Sequence, residues 1–272
     1  MADRFRIFYE VLGEKYPEEE FVYRTLSGQI RKKWIMHKLE TLPPGNLVDC
    51  GCNSGLLSRN WRRGEVFGVD LSYAVLHRGK ATAPRTIFVQ ADLRDLGIFK
   101  QGSFDNAMAC EVVEHLDQPG KFFRYIHHAM KKGGHILVTT PNYTRNRPKK
   151  VELGIIRSFG ITTGTSDSTY LHTAYRPDEL ARMAREAGFT VIEQGSFEHE
   201  LRGWLKPLTI METAFTLLSE RFFASSRFKL LFHTLINRME LNAFTVLDTF
   251  LLARVVRRIF KQGRRSYILA VK

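Results

Sequence analysis

The stretch Leu47–Gly55, LVDCGCNSG, decides how this chain reads. Two apolar residues, Leu47 and Val48, run into an acid, Asp49, and a turn carrying Gly51 and Gly55 follows. A buried strand that closes on such a turn and then feeds a helix, here expected over Leu56–Arg62, lets a ligand approach the backbone closely. Gly51 and Gly55 stand where a side chain would obstruct that approach. Asn53 lies between them, where many nucleotide loops carry Gly. Asn tolerates positive φ better than most residues, so the loop is expected to keep its shape without a middle glycine.

Working outward, short apolar runs recur after the first strand. They are Glu65–Val69 (EVFGV), Thr86–Gln90 (TIFVQ), Phe104–Cys110 (FDNAMAC) and His135–Thr140 (HILVTT). Helical stretches separate them at Ser72–Ala83 and Pro119–Met130, and Pro177–Ala187 is a further helix with Pro in its first turn and Gly188 as its stop. Phe189–Phe197 and Ser266–Val271 read as the sixth and seventh strands. Alternation of this kind predicts an α/β fold, with a mostly parallel sheet covered on both faces. A helical lead-in from about Pro17 to Leu42 ends at Pro43-Pro44-Gly45. The expected divisions are a lead-in over 1–45, a core over 46–198, a helical basic and apolar insertion over 199–265, and the last core strand over 266–272.

Composition narrows the class. The chain has 272 residues, 44% apolar and 25% charged, as an ordinary globular protein does. Its cysteines, Cys50, Cys52 and Cys110, have neither the number nor the spacing of a disulfide framework or a structural zinc site. The first twenty residues are charged throughout and lack an apolar core, so no signal peptide is expected, and no run is long enough for a membrane span. A cytoplasmic location is expected, with peripheral attachment to a membrane as an option. The net charge of +13 favours anionic partners. Much of it falls between Arg202 and Arg265, where Lys and Arg exceed Asp and Glu by eight.

Two more acids follow the next strands. Asp70 ends VFGVD, 19 residues after Gly51, where an acid can accept hydrogen bonds from both ribose hydroxyls. Asp92 follows the third strand and could hold an adenine amino group, with Leu71 and Leu93 packing the ring faces. Each acid taken singly could instead cap the turn or helix after it. Three acids at successive strand ends, where open α/β sheets bind ligands, form a more specific pattern.

In order, LVDCGCNSG, VFGVDLS, VQADL, FDNAMACEVVEHL and MKKGGHILVTTPN resemble the successive motifs of class I S-adenosylmethionine-dependent methyltransferases. The resemblance runs from about Leu47 to Phe197 and returns at Ser266–Lys272. It implies a Rossmann-like, seven-stranded sheet whose last strand is antiparallel. It also implies that S-adenosylmethionine lies against the loop, with Asp49, Gly51, Cys52 and Gly55 on the methionine part. Asp70 would take the ribose, and Asp92 with Leu93 the adenine. Glu111 would stand beside the sulfonium and the acceptor. A nicotinamide-dependent oxidoreductase is the rival, but Asn53 occupies the second glycine of its fingerprint, and Asp49 would sit poorly beside a pyrophosphate.

CEVVEHL places Glu111, Glu114 and His115 on one face if the chain turns helical there. Together with His172 they could ligate Mg2+ or another divalent cation, which would lower the pKa of an acceptor hydroxyl. His115 or His172 could instead act as the general base. The pattern is similar to the E-x-x-E-H of the ubiquinone-biosynthesis O-methyltransferases and of the methyltransferases of small-RNA 3′ ends. Metal-free relatives also carry Glu-His at this place. Pro141, Asn142 and Tyr143 are expected at the rim of the acceptor pocket. The inserted helices, WLKPLTIMETAFTLLSERFF and LNAFTVLDTFLLARVVRRIF, suit a lid, a contact with an anionic bilayer, or a packed helical subdomain. The expected activity is O-methylation of a small, lipid-like or quinone-like acceptor. An RNA 2′-O-methyltransferase is the alternative, and a non-catalytic binding module ranks lower.

Overall fold

The computed structural model describes residues 3–95, 97, 99–143, 149–199 and 260–272, with scattered positions between 210 and 259. The chain forms two compact units. Met1–Pro17, Trp34–Gly195 and Arg265–Lys272 make the first, and Glu18–Lys33 with Ser196–Arg264 the second.

The first unit is built on a seven-stranded sheet. In chain order its strands are β1 (Leu47–Cys50), β2 (Val66–Asp70), β3 (Thr86–Gln90), β4 (Phe104–Cys110), β5 (Met130–Pro141), β8 (Thr190–Phe197) and β9 (Arg265–Val271). Their spatial order is β3-β2-β1-β4-β5-β9-β8. The pairs β1–β2, β1–β4, β2–β3 and β4–β5 are parallel. β9 runs antiparallel to β5, from His135 opposite Val271 to Pro141 opposite Arg265. The chain reverses its winding between β1 and β4, so the C-terminal ends of β1, β2 and β4 open onto the crevice where such sheets bind ligands.

Alternate residues of each central strand supply two separate cores. Val48, Ala107, Ala109, Ile136, Val138, Ile268 and Ala270 face one way. They pack on Phe122, Phe123 and Ile126 of the helix Pro119–Ala129 (α5) and on Leu180, Ala181 and Ala184 of the helix Pro177–Glu186 (α6). Leu47, Met108, Leu137 and Leu269 face the other way, against Ile35 and Leu39 of the helix Leu26–Glu40 (α3), Leu42 and Trp61. Both faces are buried, so the strands read as continuous apolar runs rather than as alternating ones.

In the second unit, Arg31 and Glu198 form a buried ion pair, Nε to Oε1 at 2.9 Å, and Ser27 Oγ donates to the other carboxylate oxygen at 3.2 Å. Leu26 packs with Ile30, Leu241 and Phe244. Most of the 199–265 insertion lies outside the described residues. Among the described residues, no helix is long and apolar enough to cross a membrane.

The structure departs from the sequence reading at four places. Leu56–Arg62 is a series of turns, not a helix. There, the Ser58 hydroxyl donates to Asp49 at 2.6 Å and the Trp61 indole donates to the Gly45 carbonyl at 3.0 Å. Such side-chain bonds hold a short segment that could not nucleate a helix by itself. The lead-in is broken into Glu18–Phe21 (α2) and α3, with Thr25 Oγ1 accepting from Gly28 N at 3.1 Å at the start of α3. A hairpin of Lys150–Glu152 (β6) and Thr169–Leu171 (β7) precedes α6.

The fourth departure is a helix ahead of the lead-in, Arg4–Lys15 (α1), which packs on Tyr73–Thr82 (α4). Ser72, the N-cap residue of α4, makes no side-chain cap. Glu10 of α1 supplies it from outside, accepting from Tyr73 N at 2.7 Å and Ala74 N at 3.1 Å. A carboxylate there satisfies two free N–H groups and favours the positive helix end. Glu10→Ala should therefore cost about 1 kcal/mol and lower Tm by roughly 2–4 °C, measured by differential scanning calorimetry.

Candidate active site

The loop after β1 owes its shape to three consecutive alternate residues in the left-handed region: Gly51 at φ 74°, Asn53 at 49° and Gly55 at 81°. Asn53 thus does what its position required without a glycine. The glycines serve packing as much as access. A Cβ on Gly51 would collide with Val112, and one on Gly55 would press on Ala83 and Phe88. Cys52 is buried and packs with Val75, Leu76 and Phe88. Its thiol sits 3.3 Å from the Asn53 carbonyl.

The acids end where the sequence places them. Asp49 is 2% exposed, and burial pushes its carboxyl up to about 7 against the opposing pull of the Ser58 hydroxyl. Asp70 accepts from Asn53 N at 2.9 Å through one oxygen and from Ser72 N at 3.0 Å through the other, and burial raises it too. Asp92 is engaged differently. Arg94 grips both its oxygens, with Nε at 3.0 Å from each, and also pairs with Asp3 at the N-cap of α1. Leu93 is buried in the sheet core, whereas Leu71 is half-buried.

A nucleoside bearing a cationic methionine fits this crevice. Asp49, buried, and Asp70, half-buried, call for donors or positive charge. Arg94 also donates its backbone N–H to Asp92 at 2.9 Å, so each lone-pair direction of that carboxylate is already met by Arg94.

At the end of β4 the chain does not turn helical at once. Glu111 adopts φ 60°, a conformation costly for a non-glycine residue, before a single 3-10 turn at Val113–His115. Its carboxylate accepts from Thr139 Oγ1 at 3.0 Å and pairs with Arg265 Nε at 2.6 Å. Glu114 is 1% exposed and accepts from Thr140 Oγ1 at 3.1 Å. Burial, then the nearby Glu111, raises its carboxyl well above the usual range.

Two imidazoles close the corner. His115 Nδ1 lies 3.0 Å from the Leu171 carbonyl, so Nδ1 carries the proton and Nε2 keeps its lone pair, 3.9 Å from Glu114 Oε1. His172 Nε2 lies 3.0 Å from Tyr143 Oη. Burial lowers His115 and takes His172 down to about 4, so both rings are neutral near pH 7. Their centroids are 5.2 Å apart, and Tyr170 stands 6.0 Å from each.

Of the four residues predicted as metal ligands, Glu114, His115 and His172 come together, with one ligand atom from each within 4.8 Å of the others. Glu111 does not join them, because its carboxylate is committed to Thr139 and Arg265. The sequence reading missed Arg265, which only the β5–β9 register brings to Glu111, and Tyr170. Tyr170 stands two residues before His172 in STYLH, a spacing that marks a shared strand face.

Comparison with known proteins agrees with this geometry. A family model described as a methyltransferase domain matches residues 26–194. A ubiquinone biosynthesis O-methyltransferase of Acinetobacter baumannii is 28% identical over 212 residues, which cover 73% of this chain and 88% of that protein. One of Leptothrix cholodnii is 26% identical over 200 residues, covering 70% and 84%. Among solved structures, the complex of the Haloferax volcanii Trm112 methyltransferase activator with its methyltransferase matches at TM-score 0.58 and 19% identity, over 99% of this chain and 97% of that one. Phosphoethanolamine N-methyltransferase 2 of Haemonchus contortus, solved with S-adenosyl-L-methionine, matches at TM-score 0.51 and 17% identity, over 100% of this chain and 57% of that one. The solved structures share the fold, whereas the family model spans most of the chain, loop and acids included. The chain therefore belongs to the methyltransferase-domain family and is an S-adenosylmethionine-dependent methyltransferase.

Proposed function

We propose that the protein methylates an oxygen of a small aromatic, quinone-like or lipid-linked acceptor. One observation carries the reading: an uncharged imidazole, His115 Nε2, stands with its lone pair free beside a wall of rings, Tyr170, His172 and Tyr143. A flat acceptor can lie against such a wall. The ubiquinone-biosynthesis names of the relatives agree with an acceptor of this kind. The inserted stretch 199–265 is basic and apolar in sequence, which suits an anionic bilayer surface if the acceptor is lipid-linked.

S-adenosylmethionine, when bound, supplies an electrophilic methyl group on its sulfonium. The residues that would hold it are Asp49 and the Gly51–Gly55 loop for the methionine part, Asp70 for the ribose, and Leu71 for the adenine, with Asp92 in exchange for one of its Arg94 contacts. Glu111, held by Arg265 and Thr139, borders the same space from the end of β4. His115 Nε2 takes the proton of the acceptor hydroxyl as its oxygen becomes the nucleophile. The Leu171 carbonyl then holds Nδ1–H and keeps the ring oriented. Most of the rate would come from fixing the two reactants in line.

Glu114, His115 and His172 also form a donor set suited to a divalent cation. That cation would lie beside the acceptor hydroxyl and lower its pKa. Glu114→Gln should reduce turnover by about tenfold or more on either reading. Loss of activity in a chelator, restored by Mg2+, would assign that effect to a metal. Activity indifferent to the chelator would rule out the metal and leave His115 as the base.

Two further outcomes test the cofactor half. Asp70→Ala should abolish calorimetric binding of S-adenosylhomocysteine by protein that remains folded. Asp49 binds a proton more tightly folded than unfolded, since its carboxyl moves from 3.8 to about 7. Its contribution to stability therefore falls as pH rises between those values, by about 4 kcal/mol at most. His172 works in the opposite sense between 6.5 and about 4, because its folded form resists protonation. The difference between wild type and Asp49→Asn isolates the first effect. The variant should be the more stable of the two at pH 8 by urea titration, yet bind the cofactor product poorly. A wild type as stable as the variant at pH 8 would contradict the buried, proton-holding Asp49.

A further inference from the structure

The helix α1 carries a polar group into this site that none of the assigned roles uses. The hydroxyl of Tyr9 is buried and has no hydrogen-bond partner among the described residues. Its ring is held on three sides, by Phe5 at 4.7 Å, Phe8 at 5.0 Å and His115 at 5.8 Å, the last edge-on. Phe8, which packs against this ring, stacks in turn on Tyr170 at 5.5 Å, so Tyr9 joins the rings of the acceptor corner.

The helix bearing this hydroxyl is fixed at several points. Asp3 is paired with Arg94, whose guanidinium also lies over the Phe5 ring, 4.1 Å from its centroid. Glu10 caps α4, and Lys15 Nζ lies 3.5 Å from the Gly160 carbonyl. A helix so anchored cannot simply roll its tyrosine out to water. Phenylalanine would fill the same space without an unpaired donor, so packing alone does not account for the hydroxyl.

We propose that Tyr9 Oη donates a hydrogen bond to an oxygen of the methyl acceptor and so helps select and orient it. A phenol is protonated at neutral pH, so the group acts as a donor. Its complement is an oxygen with a free lone pair, as a hydroxyl, carbonyl or carboxylate of the acceptor offers. A polar site group that meets a substrate oxygen discriminates strongly against analogues without it. This inference rests on the O-methyltransferase reading above, and the experiment separates the two.

The test uses the full-length protein, labelled S-adenosylmethionine and 4-nonylcatechol as the acceptor probe. Wild type and Tyr9→Phe are compared in acceptor KM, kcat, Tm and calorimetric affinity for S-adenosylhomocysteine. Tyr9→Phe should raise the acceptor KM about tenfold or more, leave the cofactor affinity within about twofold, and leave Tm equal or higher. An unchanged acceptor KM would overturn the proposal, as would a loss of cofactor affinity with the acceptor KM unmoved. Failure of the wild type to methylate the probe while binding S-adenosylhomocysteine would instead sink the reading of the acceptor, and this proposal with it.

Discussion

The carboxylate of Asp70 joins two chain reversals that must sit side by side for the crevice to exist. One oxygen receives the N–H of Asn53, in the loop after β1, and the other the N–H of Ser72, at the turn into α4. A carboxylate accepts such N–H groups better than a neutral group does. The loop can then hold three left-handed residues without closing over the crevice. Bonds to backbone N–H and the burial of the acid act in opposite directions on its charge. Burial outweighs the bonds, so the carboxyl is raised.

The acceptor side depends on a second constraint of the same kind. Glu111 is held in a strained conformation at the end of β4, and three features over-determine it: its N–H to the Thr139 carbonyl, its carboxylate to the Thr139 hydroxyl, and its ion pair with Arg265. The strain reverses the chain sharply enough to drop Glu114 into the core and to leave His115 at the surface of the crevice. Strain of this order survives only where the surroundings enforce it, and it gathers at working sites. The antiparallel last strand is thus part of the site. Pairing β9 with β5 brings Arg265 opposite Pro141, next to the strand end where Glu111 stands.

The helix α1 is the third contributor. It precedes the residues 26–194 that the family model matches, yet it caps α4, pairs with Arg94 and puts an aromatic ring against His115. Cofactor side and acceptor side therefore share one anchored element.

Much of this was legible in the sequence because parallel sheets announce themselves locally. A buried strand has to be apolar on both faces, and a ligand loop has to contain residues that tolerate positive φ. Val48, Asn53, Asp70 and the order of the motifs therefore carried the sheet, the crevice and the family. Where a side chain's partner lay far along the chain, local pattern failed. Leu56–Arg62 has a helical look, but Asp49 and Gly45 claim its Ser58 and Trp61. CEVVEHL offers three ligands on one helical face, but Arg265, from the last strand, removes Glu111 from the set. Asp92 is shared with Arg94, and Tyr9 reaches His115 across more than a hundred residues. Residue types and their spacing thus determined the class of fold, the loop and its acids, since these depend on backbone conformation and burial. Only the tertiary structure decided which acids are free, which imidazole keeps its lone pair and which ring faces it. Those properties depend on what else is within a few ångströms, and chain order does not encode that distance.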